Sequence, residues 1–239
     1  MSASLIANKS AVALEFDRIA RRYDLATSMS QGYQADLQRS AALLELKGNE
    51  HVLDLCCGTG RSSEAILAYV KEGSLTCVDN SKGMLEEARN KFEAQINAGK
   101  VILSQQDAMH LDFPEQSFDA VFVAYGLRNM PDYGKFVEGV FRILKPGGSI
   151  VIHDYSLSEA WYSKPYWWIL GYGFVVPCCS LMTGSSRIFL YLIQSVLRFL
   201  SPVEIKALLT KHAFVEVTIH QQPNWRRPIL HSFKGSKPL

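Results

Sequence analysis

Residues 52–60 read Val52-Leu53-Asp54-Leu55-Cys56-Cys57-Gly58-Thr59-Gly60, an apolar strand that delivers a carboxylate and runs through a two-glycine loop into a helix. Such a loop holds a nucleotide cofactor, and the carboxylate narrows which one. A pyrophosphate is bound by bare backbone N–H groups and a helix N-terminus, so an acid beside it would repel the ligand. S-adenosylmethionine (SAM) has no phosphate; its α-ammonium, sulfonium, ribose diol and adenine amino group are groups a carboxylate attracts or accepts from. A nicotinamide dinucleotide is disfavoured further by Ser63, which stands where a third glycine would be. Two more acids end strand-like runs. Asp79 follows Leu75-Thr76-Cys77-Val78 at the spacing where an open α/β sheet sets an acid on the ribose hydroxyls. Asp107 follows Val101-Ile102-Leu103-Ser104 and is placed to accept the adenine amino hydrogen, with Ala108 and Met109 packing on the ring. Each acid alone reads as a turn or cap residue, but three at successive strand ends fit a ligand at the carboxyl edge of a parallel sheet.

Positioning these acids requires alternating strands and helices, and the chain supplies them: Val52 to Leu55, Ser62 to Val70, Leu75 to Val78, Lys82 to Ile96, Val101 to Ser104. That order implies right-handed crossovers and a mostly parallel sheet with helices on both faces. Phe118 to Val123 is nearly continuously apolar, as a central buried strand would be. A helix from about Tyr133 to Leu144 and the turn Lys145-Pro146-Gly147-Gly148 lead to a strand at Ser149 to Ile152. Ser201-Pro202-Val203-Glu204 is a capping box with a first-turn proline, opening a last helix that ends near His212. Val215 to Ile219 alternates like an edge strand, with Ile229 to Phe233 expected to pair with it. The expected division is a helical lid over 1–48, a cofactor-binding core over 49–160, an apolar aromatic insertion over 161–200, and a closing helix and edge strands over 201–239.

With 239 residues, 48% of them apolar, the chain can bury a sizeable core. A formal charge of +2, spread along the chain, points to no nucleic-acid partner. The adjacent pairs Cys56-Cys57 and Cys178-Cys179 suit neither a disulfide framework nor a zinc site, and read as small core residues in a reducing compartment. No metal is expected. Charges at Lys9, Glu15, Asp17 and Arg18 interrupt any secretory signal, so a cytoplasmic location is expected, peripheral to a membrane. Residues 161–200 carry Trp161, Trp167, Trp168, Tyr172, Phe174, Phe189, Tyr191 and Phe199, with no charge between Lys164 and Arg187. Three readings stand: a membrane span, which Gly171, Gly173, Pro177 and Gly184 are expected to interrupt; a pair of core helices; or an acceptor-binding cap that also touches a bilayer surface.

The stretch Phe16-Asp17-Arg18-Ile19-Ala20-Arg21-Arg22-Tyr23-Asp24-Leu25, the loop Tyr125-Gly126-Leu127-Arg128-Asn129, and the motifs Asp54 to Gly60, Asp79 to Leu85 and Leu144 to Gly148 carry a resemblance. Over about residues 15–156 the chain resembles the class I SAM-dependent methyltransferases of ubiquinone and menaquinone biosynthesis. The resemblance implies a Rossmann-like, seven-stranded, mostly parallel α/β fold and a prenylated quinol methylated at carbon. It implies SAM held by Tyr23, Gly58, Gly60, Asp79 and Asp107, with Asp54, Met84, Ala108 and Tyr125 in the same site. A homodimer belongs to the same expectation. The tail Asn224-Trp225-Arg226-Arg227-Pro228-Ile229-Leu230-His231 departs from the family's glycine-pair and histidine-glycine pattern.

Methyl transfer disperses the sulfonium charge, so a dry, apolar pocket favours the transition state. An aromatic carbon becomes a usable nucleophile when a neighbouring hydroxyl ionises, which needs a base or a cation. Arg128 is the first candidate, as a guanidinium stabilising a phenolate or holding a water; its plainer role is a salt bridge that pins the loop. His153 and Asp154, at the carboxyl end of the strand from Ser149, are the alternatives. Competing functions are methylation of a lipid headgroup amine cradled by aromatic faces, and a non-catalytic SAM-binding subunit of a biosynthetic assembly.

Overall fold

A computed structural model of the chain describes residues 15, 17, 18, 32–184 and 186–239. Strands β1 (His51–Leu55), β2 (Ser74–Asp79), β3 (Val101–Gln105), β4 (Phe118–Ala124), β5 (Leu144–Tyr155), β6 (Val215–Gln221) and β7 (Leu230–Ser236) form one sheet in the order β3-β2-β1-β4-β5-β7-β6. The first five pair in parallel, while β7 runs antiparallel to both β5 and β6. The described helices are α1 (Tyr33–Ala42), α2 (Arg61–Leu67), α3 (Lys82–Lys91), α4 (Glu93–Asn97), α5 (Tyr133–Ile143), α6 (Ser163–Leu170), α7 (Val176–Thr183), α8 (Arg187–Leu197) and α9 (Pro202–Lys211).

Side chains alternate across a strand, and here both faces are apolar, so the sheet has a core on each side. Leu53, Leu55, Val121, Val123, Ile150 and Ile152 meet α5 and α9 through Phe136, Val140, Ile205 and Leu209. Val52, Cys77, Ala120, Phe122 and Val151 meet α1, α2 and α3 through Leu37, Ala41, Ile66 and Leu85. α9 carries the expected capping box between Ser201 and Glu204.

Three elements depart from expectation. The helix read from Lys82 to Ile96 breaks at Phe92 (φ −110°, ψ 21°), whose ring turns in beneath the glycine loop. The turn Lys145-Pro146-Gly147-Gly148 lies within β5 as an irregularity: Leu144 pairs with Phe118, and pairing resumes at Ser149 with Ala120. In the aromatic insertion, Gly171, Gly173 and Pro177 do not interrupt the helix. The two glycines lie in a π-helical turn, Gly171–Val175, and Pro177 falls in the first turn of α7, so Ser163–Thr183 is one continuous run. By length and composition that run is able to cross a membrane, yet only 17% of its most apolar window is buried. A core helix would be covered, as α8 is, with Ile188, Phe189, Tyr191, Ile193 and Val196 all buried. The cap is fastened to α8 at Trp167, whose Nε1 donates to the Ile193 carbonyl at 3.1 Å, and at Gly171, where a Cβ would collide with Ile193.

Candidate active site

The order of the sheet reverses between β1 and β4, and in open α/β sheets that crevice is where ligands bind. Each strand is followed by a non-glycine residue in the left-handed region, Cys56 (φ 64°) after β1 and Tyr125 (φ 56°) after β4. Such conformations cost energy and persist where the surroundings impose them; here Gly126 packs directly on Cys56. Above them opens a cavity of about 690 Å³ that runs from Gly58, Thr59 and Met84 to Trp167, Phe174 and Met182 in the cap.

At the glycine loop, a Cβ on Gly58 (φ +55°) would meet nothing within 4 Å, so the loop leaves an open cradle there. Gly60 (φ +85°) is required for another reason: a Cβ would strike the Phe92 ring. Asp79 fixes the loop, accepting from Gly58 N–H on Oδ2 at 2.8 Å and from Ser81 N–H on Oδ1 at 2.9 Å. Burial pushes its carboxyl up and these N–H donors oppose the shift. Asp79 is not itself part of the cavity lining, and it reaches the cavity through Gly58, which is; each of its oxygens can accept a further hydrogen bond. Ser81 donates to Asp17 Oδ1 at 2.5 Å, and Gly83 N–H donates to the same oxygen at 2.9 Å. Asp17 of the amino-terminal motif is thus docked on the start of α3. Tyr23 lies outside the described residues.

Asp54 does not reach the cavity. It is fully buried, its Oδ2 accepts from Ser62 at 2.7 Å and Ser63 at 2.6 Å, and Oδ1 has no hydrogen-bond partner among the described residues. Burial lifts its pKa to about 7 against those two hydroxyls. It ties the start of α2 to β1 rather than standing in the crevice. Asp107 and Ala108 also lie off the cavity wall. The Asp107 side chain is half exposed and caps its own turn, accepting from Met109 N–H at 2.9 Å, while Ala108 packs into the core.

On the other wall, Arg128 is buried and lines the cavity. Its Nη1 donates to Asn129 Oδ1 at 2.9 Å and to Ser195 Oγ at 3.4 Å, and its Nε stands 3.6 Å from Asp154. Asp154 is wholly buried and accepts from the backbone N–H of Arg128 at 3.1 Å. Burial pushes its carboxyl up, against the charge of Arg128. Asp154 holds Arg128 in place and does not itself open on the cavity. His153 is also set back. Its Nδ1 lies 2.9 Å from Ser40 Oγ and 3.0 Å from Ser232 Oγ, and Nε2 lies 3.0 Å from the Tyr125 hydroxyl. Burial, reinforced by the charges of Arg39 and Arg226, lowers its pKa to about 3. A neutral imidazole enclosed this way is a strut for Tyr125, and the role of base in contact with the acceptor does not fit it.

The wall also holds Tyr191, from the aromatic segment, and Tyr33, Tyr155 and Trp225, which the sequence did not single out as site residues. Tyr33 stacks on Tyr125 with ring centroids 5.4 Å apart, and the Tyr191 hydroxyl donates to Asn129 Oδ1 at 2.9 Å. Tyr191 lay within the aromatic insertion and was visible there; the others are assembled by contacts distant in sequence. Cys56, Cys57, Cys178 and Cys179 line the cavity as free thiols.

Solved structures share this architecture. A SAM-dependent methyltransferase from Thermotoga maritima superposes with a TM-score of 0.68 at 16% identity, covering 95% of this chain and 99% of that one. The phosphoethanolamine N-methyltransferase 2 of Haemonchus contortus, solved with phosphomonomethylethanolamine and S-adenosylhomocysteine, gives 0.61 at 16% identity over 84% of this chain and 52% of that one. Closer in sequence, a demethylmenaquinone methyltransferase of Desulfitobacterium hafniense is 31% identical across 93% of this chain and 88% of its own. One of Lactiplantibacillus plantarum is 33% identical over 84% and 86% respectively. Both relatives match well beyond the glycine loop and the three acids, as does the family model, which spans residues 5–224. On that match the chain belongs to the ubiE/COQ5 methyltransferase family and is a SAM-dependent methyltransferase.

Proposed function

We propose that this enzyme methylates a ring carbon of a prenylated quinol of the menaquinone type, the acceptor named in its relatives. The observation that carries the reading is a single apolar cavity with the glycine loop at one end, an aromatic cap at the other, and the buried guanidinium of Arg128 in its wall. SAM supplies an electrophilic methyl group. Gly58 leaves room for it, and Asp79 presents two acceptor oxygens for its ribose. Arg128 places a fixed positive charge where a ring hydroxyl ionises, and a neighbouring cation lowers a phenol's pKa. Asn129 and Asp154 hold that guanidinium from opposite ends. Trp167, Phe174 and Met182 exclude water, which preserves the strength of that charge.

Methyl-labelled SAM incubated with the protein, a reduced demethyl naphthoquinol and a phosphatidylethanolamine is the test. Label in the quinol ring supports the proposal. Label in the amine alone would transfer the assignment to headgroup methylation.

The same acceptor accounts for the exposed cap. Trp161, Trp168, Ile169, Phe174 and Leu181 are more than half exposed, and such side chains suit a bilayer interface. Phe174 is both 62% exposed and part of the cavity wall, so it joins the surface to the site. The cap rests on the membrane and a prenyl tail enters past Phe174. Trp168→Asp with Leu181→Asp should abolish co-sedimentation with phosphatidylglycerol vesicles and leave SAM affinity unchanged. Undiminished co-sedimentation would refute the contact, and loss of a dimer without vesicles would assign the face to a second copy.

A further inference from the structure

The family model ends at Asn224, and the next residue, Trp225, builds part of the cavity's rim. Asn224–Arg226 form a short turn between β6 and β7. β7 starts by pairing Leu230 with Tyr155, the carboxyl end of β5, so this turn emerges at the same sheet edge as the ends of β1 and β4. It lies on the β5 side of the crevice, whereas Asp79 ends β2 on the other. That placement puts Trp225 with the acceptor.

Arg226 anchors the turn. Its side chain is buried, with Nε 2.6 Å from Asp36 Oδ2 on α1, and the Asp36 carboxylate also pairs with Arg39. The guanidinium passes so close to Gly32 that any Cβ there would collide with it. A second tie runs alongside: Arg39 Nε donates to Gln222 Oε1 at 3.2 Å, and Gln222 Nε2 donates to Ser232 Oγ at 3.0 Å. The same guanidinium carbon lies 4.9 Å from the Trp225 ring centroid, a cation held against one face of the indole. α1 contributes Tyr33 to the wall as well, so one buried ion cluster sets two aromatic walls at once.

We infer that Trp225 is an acceptor-specificity residue, a rim wall against which the flat ring of the acceptor stacks, with Arg226 and Asp36 as its positioning residues. This rests on the quinol reading above. A half-exposed indole in a fixed plane favours a broad, planar bicyclic acceptor over a single ring, because stacking gains grow with overlapped area.

The test compares KM and kcat for a reduced demethyl naphthoquinol and a reduced benzoquinol in the wild type, Trp225→Ala and Trp225→Phe, with SAM affinity measured separately by calorimetry. Trp225→Ala should raise the naphthoquinol KM about tenfold and change the benzoquinol KM much less, with SAM affinity intact; Trp225→Phe should recover most of the loss. Asp36→Asn should reproduce the KM effect if the clamp positions the indole. An unchanged preference between the two rings, or a loss of SAM affinity instead, would overturn the inference. A wild type that methylates neither quinol would refute the quinol reading itself.

Discussion

Replacing His153 by Gln separates a buried strut from a catalytic base. The folded pKa of His153 is about 3, against about 6.5 in an unfolded chain. A histidine depressed in this way contributes no penalty at pH 7.5. As pH falls through 6.5 the unfolded chain takes the proton and the folded one does not, so stability drops by about 1.4 kcal/mol per pH unit. From pH 7.5 to 5 that amounts to about 2 kcal/mol. Asp54 works in the opposite direction. Its pKa is raised to about 7, so between about 7 and 3.8 the fold gains stability as pH falls, by a comparable amount. Asp79 and Asp154 are raised by burial too, so the whole protein sums opposed contributions, and only a difference between proteins isolates the histidine. Urea unfolding of the wild type and His153→Gln at pH 7.5 and 5.0 supplies it. The variant should be less stable at pH 7.5, by about 1–3 kcal/mol for the polar groups left around it, and the gap should narrow by about 2 kcal/mol at pH 5. Its turnover should keep the wild type's pH profile. A gap that stays constant, or an acidic limb of the rate profile that disappears, would refute the placement of His153 as a neutral strut.

Asp79→Ala removes two acceptor oxygens and the clamp on Gly58, so SAM affinity measured by calorimetry should fall by roughly a hundredfold or more; unchanged affinity would exclude the ribose contact. Arg128→Gln keeps a donor to Asn129 but loses the charge. Turnover should drop by about 10²–10³ with SAM affinity preserved, and the remaining rate should climb with pH as the acceptor hydroxyl ionises unaided. A flat profile would remove the phenolate role. Gly60→Ala places a Cβ against Phe92 at a φ of +85° and should destabilise the protein by about 2–4 kcal/mol, read as a lower urea midpoint with the slope unchanged.

Strand alternation, capping chemistry and the spacing of the glycines and acids made the sheet and the cofactor crevice readable before any coordinates. Side-chain direction was harder. Asp54 shares its parity with Val52, which faces α1 and α2, so its burial against Ser62 and Ser63 follows from the same period of two. His153 shares parity with Val151 for the same reason. The π-helical turn could not be foreseen, because glycines break most helices and a wide turn absorbs them only when a neighbour, here α8, packs against the opening. Tyr33 and Trp225 were invisible as partners because the ion cluster that aligns them joins residues 36 and 226. Nothing local in the chain records a contact at that separation.

The position of β7 has a consequence for synthesis. It follows β6 in the chain, yet it sits inside the sheet between β5 and β6. Until it emerges, β6 has no neighbour, His153 lacks Ser232, and the turn bearing Arg226 is not drawn against α1. A chain extended only as far as β6 therefore carries the parallel strands of the cofactor half and an acceptor half that is still open. Domains fold as units once their last contacts are available, so closure of the acceptor half waits on β7.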